Sequence, residues 1–154
     1  MASFECDQAE GLRRMLAGPK PRIFTFLSAT SAADKSAMLV NLSASLALSG
    51  SDVVLLDACS SNDGISHRMG AELQATLLDV ARQERALNQV VHAVPQGFGL
   101  ASLTRGSLRA VNGDQHQQRR LSNAFGVLAA QSDVLMVDCL LYTSDAADDS
   151  LRVD

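Results

Sequence analysis

"FTFLSATSAADKSAMLVNLSASLALSG", residues 24–50, is the stretch on which the reading of the whole chain turns. It runs from an apolar strand, through a short loop bearing the pair Lys35-Ser36, into a helix closed by Gly50. That is the layout of a phosphate-binding loop, in which backbone N–H groups at a helix N-terminus converge on an anion. Glycines normally allow the tight path and the close approach. No glycine lies between Gly18 and Gly50. Layout and chemistry pull apart, and the flanking sequence has to decide between them.

Outward from that stretch, apolar runs alternate with helical patterns. "RIFTFLS" (Arg22–Ser28) is apolar on both faces, as in a central strand of a parallel sheet. The spacing of Leu39, Leu42 and Leu46 predicts a helix over 35–49. "DVVLLDA" (52–58) reads as a second buried strand delivering Asp57 at its C-terminal end, and "DVLMVD" (133–138) as a third ending in Asp138. Between them lie a helix over 73–83, two strand-like pieces around the turn "PQG", and a helix over 118–131. Strands alternating with helices predict an α/β fold with a doubly wound parallel sheet. Right-handed crossovers then bring the strand ends to one edge, where such folds bind ligands, so Ser28, Asp57 and Asp138 are expected to meet there.

Ahead of the first strand, "DQAEGLRRMLA" (7–17) is a compact helix signal. Asp7 can cap it, Glu10 follows at capping-box spacing, and Gly18-Pro19 stops it. Ala9, Leu12, Met15 and Leu16 share a face from which Arg13 and Arg14 project. "GPKPR" is a short, stiff linker, so this amphipathic helix is placed to meet either its own domain or a partner.

Composition bounds the rest. The 154 residues are 47% hydrophobic and 19% charged, which suits an ordinary globular chain. The net charge of −4 and the isolated cluster "HQQRR" (116–120) argue against a nucleic-acid surface and for a solvated helix face. Cys6, Cys59 and Cys139 are far apart with no CxxC spacing, and His67, His92 and His116 are equally scattered, so reduced thiols and no metal site are expected. A dinucleotide-dependent oxidoreductase would need G-x-G-x-x-G after the first strand, and the chain has none. There is no signal-peptide core and no apolar run long enough to span a bilayer, which points to a cytoplasmic protein.

After Asp138 the character changes to "CLLYTSDAADDSLRVD", without periodicity. Its first ten residues can be encoded by TGTCTCTTATACACATCTGACGCTGCCGAC, which resembles a transposon end joined to a sequencing primer. The expectation is that 139–154 is a non-native tail, and that a sheet interrupted there exposes an apolar edge.

The order of strand, Lys-Ser loop, helix, Gly50 and "DVVLLDA" resembles the MinD/ParA group of P-loop ATPases. "DQAEGLRRML" is similar to the helix preceding the ATPase domain in the flagellar-number regulators of the FlhG/FleN family, and "LLDVARQERALNQVVHAVPQGFGLASL" is similar to that family's stretch after the second strand. The resemblance covers residues 7–138. It implies three segments: a partner-activating helix and linker over 1–20, part of a MinD-like domain over 21–138, and the tail over 139–154. It implies ATP and Mg²⁺ as cofactors. Lys35 would then reach the β- and γ-phosphates, Ser36 and Asp138 would hold the ion, and Asp57 would be the first acid of an Asp-x-Asp pair. Asp7, Gln8, Leu12 and Arg13 would engage a signal-recognition-type flagellar GTPase. A flagellar transcription activator or switch component is a further implied partner, as are a homodimer and a peripheral location at the inner membrane face near the cell pole.

The departures from that family's pattern bear on activity. The signature lysine position is Thr30, the loop glycines are Ser31, Ala32 and Asp34, and the second acid of the pair is Cys59. Side chains at 31, 32 and 34 obstruct a phosphate, and Asp34 repels one while serving as an N-cap for the helix that follows. Hydrolysis needs in-line water, Mg²⁺ and charge compensation. The resemblance, with these departures, therefore implies a regulator of flagellar number with a degenerate nucleotide site. The alternative is an ATP-hydrolysing dimerisation switch.

Overall fold

A computed structural model describes residues 20–27, 31–59, 64–106 and 111–139. The elements are β1 (Arg22–Leu27), α1 (Ala32–Leu48), β2 (Val53–Asp57), α2 (Ile65–Arg68), α3 (Leu77–Ala81), β3 (His92–Ala93), β4 (Gly99–Ser102), α4 (Gln115–Ala130) and β5 (Val134–Cys139). They form one five-stranded sheet in the order β1-β5-β2-β4-β3. All pairings are parallel except the β3–β4 hairpin, so the predicted α/β sheet is present with one antiparallel edge.

The apolar runs in β2 and β5 have a simple cause: both faces of both strands are covered. Val54, Leu56, Leu135 and Val137 pack with Leu128 and Ala124 of α4. Val53, Leu55, Val134 and Met136 pack on the opposite face with Leu39 of α1 and Ile65 of α2. Every β2 residue is buried, as are all of β5 but its last. β1 differs. It reads as a central strand, yet among the described residues it lies at the sheet edge, with Ile23, Phe24 and Leu27 46%, 47% and 58% exposed.

Helix ends follow local chemistry. α1 closes in a Schellman motif: Gly50, at φ 95°, donates its N–H to Ala47 O, and Ser51 donates to Leu46 O. α3 is shorter than the predicted 73–83 because Thr76 and Asp79 form a reciprocal capping box that starts it late. α4 starts earlier than predicted, since Asp114 accepts from the N–H groups of His116 and Gln117. Residues 116–120 lie on α4 and are mostly exposed, as expected of a solvated face.

Candidate functional site

The site is built where β2 and β5 end. Asp57 and Asp138 are partners in register. Side chains alternate along a strand, so these two share the face of Val53, Leu55, Val134 and Met136, toward α1. Ser28, expected to join them, lies outside the described residues, as do Asp7, Gln8, Leu12 and Arg13.

Lys35 projects from α1 into this edge. Its ammonium lies 2.6 Å from Asp138 Oδ1 and donates to Cys139 O at 2.8 Å, with the residue only 4% exposed. It is therefore not a solvated surface lysine but a buried tether between α1 and β5. Cys139 belongs to β5, pairing with Leu27, so the ordered strand extends one residue into the segment assigned to the tail.

Asp57 is held on both oxygens. Oδ1 accepts the Cys59 N–H and Oδ2 accepts the Ser66 N–H in the first turn of α2, each at 3.0 Å. It thus caps the turn after β2. This arrangement requires Gly64, because a Cβ there would collide with Asp57 Oδ2 and stand 2.9 Å from Oδ1. In the sequence, Gly64 is marked only as a glycine closing the polar run "SSND" after the strand.

Cys59 completes the cluster. Its thiol is 3.6 Å from Asp138 Oδ2 and 3.7 Å from Asp138 O, and the residue is buried. Burial pushes the thiol pKa far above its ordinary range, and the Asp138 and Asp57 carboxylates push it further, against a smaller opposing effect of Lys35. Cys59 is therefore a neutral thiol at physiological pH. Burial, followed by Asp138, also raises Cys139.

The helix N-terminus corrects one prediction. α1 begins at Ala32, three residues before Lys35, so Ala32, Ala33 and Asp34 form helix rather than loop. Alanine favours helix where glycine would not. The cap is Ser31, not Asp34: Ser31 Oγ accepts from Asp34 N at 3.2 Å and donates to Asp34 Oδ2 at 2.7 Å. Asp34 occupies the first turn, where its carboxylate complements the helix dipole that a phosphate would otherwise use. Ser36 is buried and lines a separate cleft of ≈390 Å³ between α1 and α2, with Ala33, Asn41 and Met69; it makes no hydrogen bond to Asp138. Of the four expected nucleotide residues, the structure joins Lys35, Asp57 and Asp138 in one cluster and leaves Ser36 beside it.

No family model matches the chain, and no curated protein matches it. Solved structures do. Cobyrinic acid a,c-diamide synthase from Mycobacterium smegmatis, with bound ATP analog and magnesium, matches at a TM-score of 0.62 and 18% identity, over 78% of this chain and 50% of that one. The kinase domain of the Escherichia coli tyrosine kinase ETK matches at 0.60 and 20%, over 90% and 55%. The Pyrococcus furiosus cell division ATPase MinD matches at 0.54 and 19%, over 77% and 50%. The fold is that of the MinD-like P-loop NTPases. The chain spans about half the length of the solved structures it matches.

The Mycobacterium smegmatis structure holds an ATP analog and magnesium, and the residues present here fit a magnesium nucleotide poorly. Asp34 places a carboxylate at the anion end of α1, Lys35 is committed to Asp138 and Cys139 O, and the position of the second acid after Asp57 holds a thiol. Among the described residues no helix is long and apolar enough to cross a membrane.

Proposed function

We propose that this chain is a regulator of flagellar number and placement that works by contact with another protein, on a P-loop scaffold that no longer turns over ATP. The observation that carries the second half is the Lys35–Asp138 pair. To reach a phosphate, Lys35 would have to leave an ion pair buried on both sides, and Asp138 would then need another partner in the interior. A phosphate would also meet the Asp34 carboxylate. The first half rests on the similarity of residues 7–16 to the activating helix of the flagellar-number regulators. On that reading Asp7, Gln8, Leu12 and Arg13 stimulate a signal-recognition-type GTPase, and the protein acts in the cytoplasm or at the inner membrane face.

Two measurements test it. Titration of the full chain with a fluorescent ATP analogue and Mg²⁺ should show no saturable, Mg²⁺-dependent binding. A peptide of residues 1–20 should raise the GTPase's turnover, and no stimulation removes the partner assignment. The convergence of Lys35, Asp57 and Asp138 on one strand edge supports a second reading, an ATP-dependent dimerisation switch. Saturable binding that disappears in Lys35→Ala would establish it in place of the first.

A further inference from the structure

An apolar groove stays open on the α1 face of the sheet, away from the carboxylate cluster. Phe24 and Phe26 of β1 form one wall of it and Leu42 and Leu46 of α1 the other, with Val134 and Met136 of β5 between them, and it encloses ≈490 Å³. Phe24 is 47% exposed and Leu42 38%, so both walls leave large apolar side chains in water. At the start of β1 the lining turns polar, with Lys20, Arg22 and Asp133. Contiguous apolar surface with a polar rim marks a place where another segment packs.

The chain itself supplies a segment that fits. Lys20, the first described residue, lines the groove, so the residues before it arrive at its rim. The helix predicted over 7–17 is joined to β1 by residues 18–21, and helix-to-strand connections of about 2–6 residues set consecutive elements side by side. Eleven residues make a helix of about 16 Å, against about 20 Å for the six residues of β1. A helix folded back at Gly18-Pro19 therefore runs along most of the groove. Its face of Ala9, Leu12, Met15 and Leu16 offers the apolar stripe that helix-in-groove packing uses. The other long segment outside the described residues, 140–154, leaves β5 at Cys139, opposite Leu27 and so at the far end of the sheet from Lys20, and it has no helical periodicity.

We propose that the groove between β1 and α1 is the docking site of this chain's own helix over residues 7–17, seated through Leu12, Met15 and Leu16. The tether favours this occupant over a second copy, because a short linker holds the helix at an effective concentration on the order of millimolar. Docking covers Leu12. On the flagellar reading, which assigns Leu12 to the GTPase contact, docking and partner binding then exclude each other, and the groove holds the helix in reserve. The docking itself does not depend on that reading.

The test is photo-cross-linking of the full chain, with p-benzoylphenylalanine placed singly at position 42 or position 24, one on each wall, and at position 127 on α4 as an exposed control. Two probe positions make the result independent of whether one variant folds. Adducts are mapped by mass spectrometry on a mixture of isotopically heavy and light chains. The expected result is adducts from positions 42 and 24 to residues 7–17 of the same chain, absent from position 127 and lost when Leu12→Asp and Leu16→Asp are added. No adduct to 7–17 from either wall, adducts that join a heavy to a light chain, adducts to 140–154 in their place, equal yield from position 127, or survival in the Leu12→Asp/Leu16→Asp background would each overturn the docking site. The GTPase measurement uses a free peptide, so either proposal can fail without the other.

Discussion

β1 and β2 are similar in composition and opposite in fate. "RIFTFL" and "VVLLD" are both short, apolar and strand-forming, and both lie parallel to β5. β2 has strands on both sides and helices on both faces, and none of its five residues reaches solvent appreciably. β1 has one strand neighbour among the described residues, and four of its first five positions are exposed. Phe24 and Phe26 line a groove of ≈490 Å³ with Leu42, Leu46 and Met136, where β2 at the same depth meets Leu39 and Ile65 in close packing. Apolar character thus states that a strand is to be covered; what covers it is a separate matter. Polar groups follow the same division. The carboxylates at the protected ends of β2 and β5 are enclosed and drawn into one network, while β1 contributes no described side chain to it.

Three substitution sets would break or sharpen that contrast. The largest effect is expected at the protected end. Lys35→Ala strands Asp138 in the interior and should lower unfolding free energy by about 3–5 kcal/mol in urea titration. A loss no larger than that of an exposed lysine such as Lys20 would show that the pair is not buried in solution. Next come paired truncations of the two strands. Leu55→Ala, at a side chain with no exposure, should cost about 3 kcal/mol, and Leu27→Ala, 58% exposed, less than about 1 kcal/mol. Equal costs would mean that β1 is covered in solution as fully as β2.

The smallest effect is a pH dependence at Cys59. Its folded-state pKa is raised above the ordinary thiol value of 9.0, so the folded state favours the neutral form. The stability this contributes is complete below about pH 9 and is lost as pH rises toward the folded-state value. The parent chain should therefore lose stability between about pH 8.5 and 10.5 more steeply than Cys59→Ala, in denaturation followed by circular dichroism. Parallel pH profiles would place the thiol in contact with water.

The candidate site was legible in part. Asp57 and Asp138 announced themselves by ending apolar strands, and register then made them neighbours. Lys35 was singled out by the loop layout, but its burial was not, since its two partners lie more than a hundred positions away on another strand. Cys59 read as a missing acid, and its contact with Asp138 on another strand was not visible in the sequence. The position of Ser31 as the cap was obscured because Asp34 is also a good capping residue, and the helix-forming alanines between them tipped the start toward Ser31.

Taken by itself, the amino-acid sequence determined the order of strands and helices, the parallel α/β class, and the carboxylates at the strand ends. These follow from local periodicity and from capping and turn chemistry within a few residues. Tertiary structure alone decided that β1 lies exposed while β2 is enclosed, that Lys35 is spent on Asp138 and Cys139, and that Gly64 must lack a side chain beside Asp57. Each of those depends on contacts between segments that only the folded sheet brings together, which no local pattern encodes.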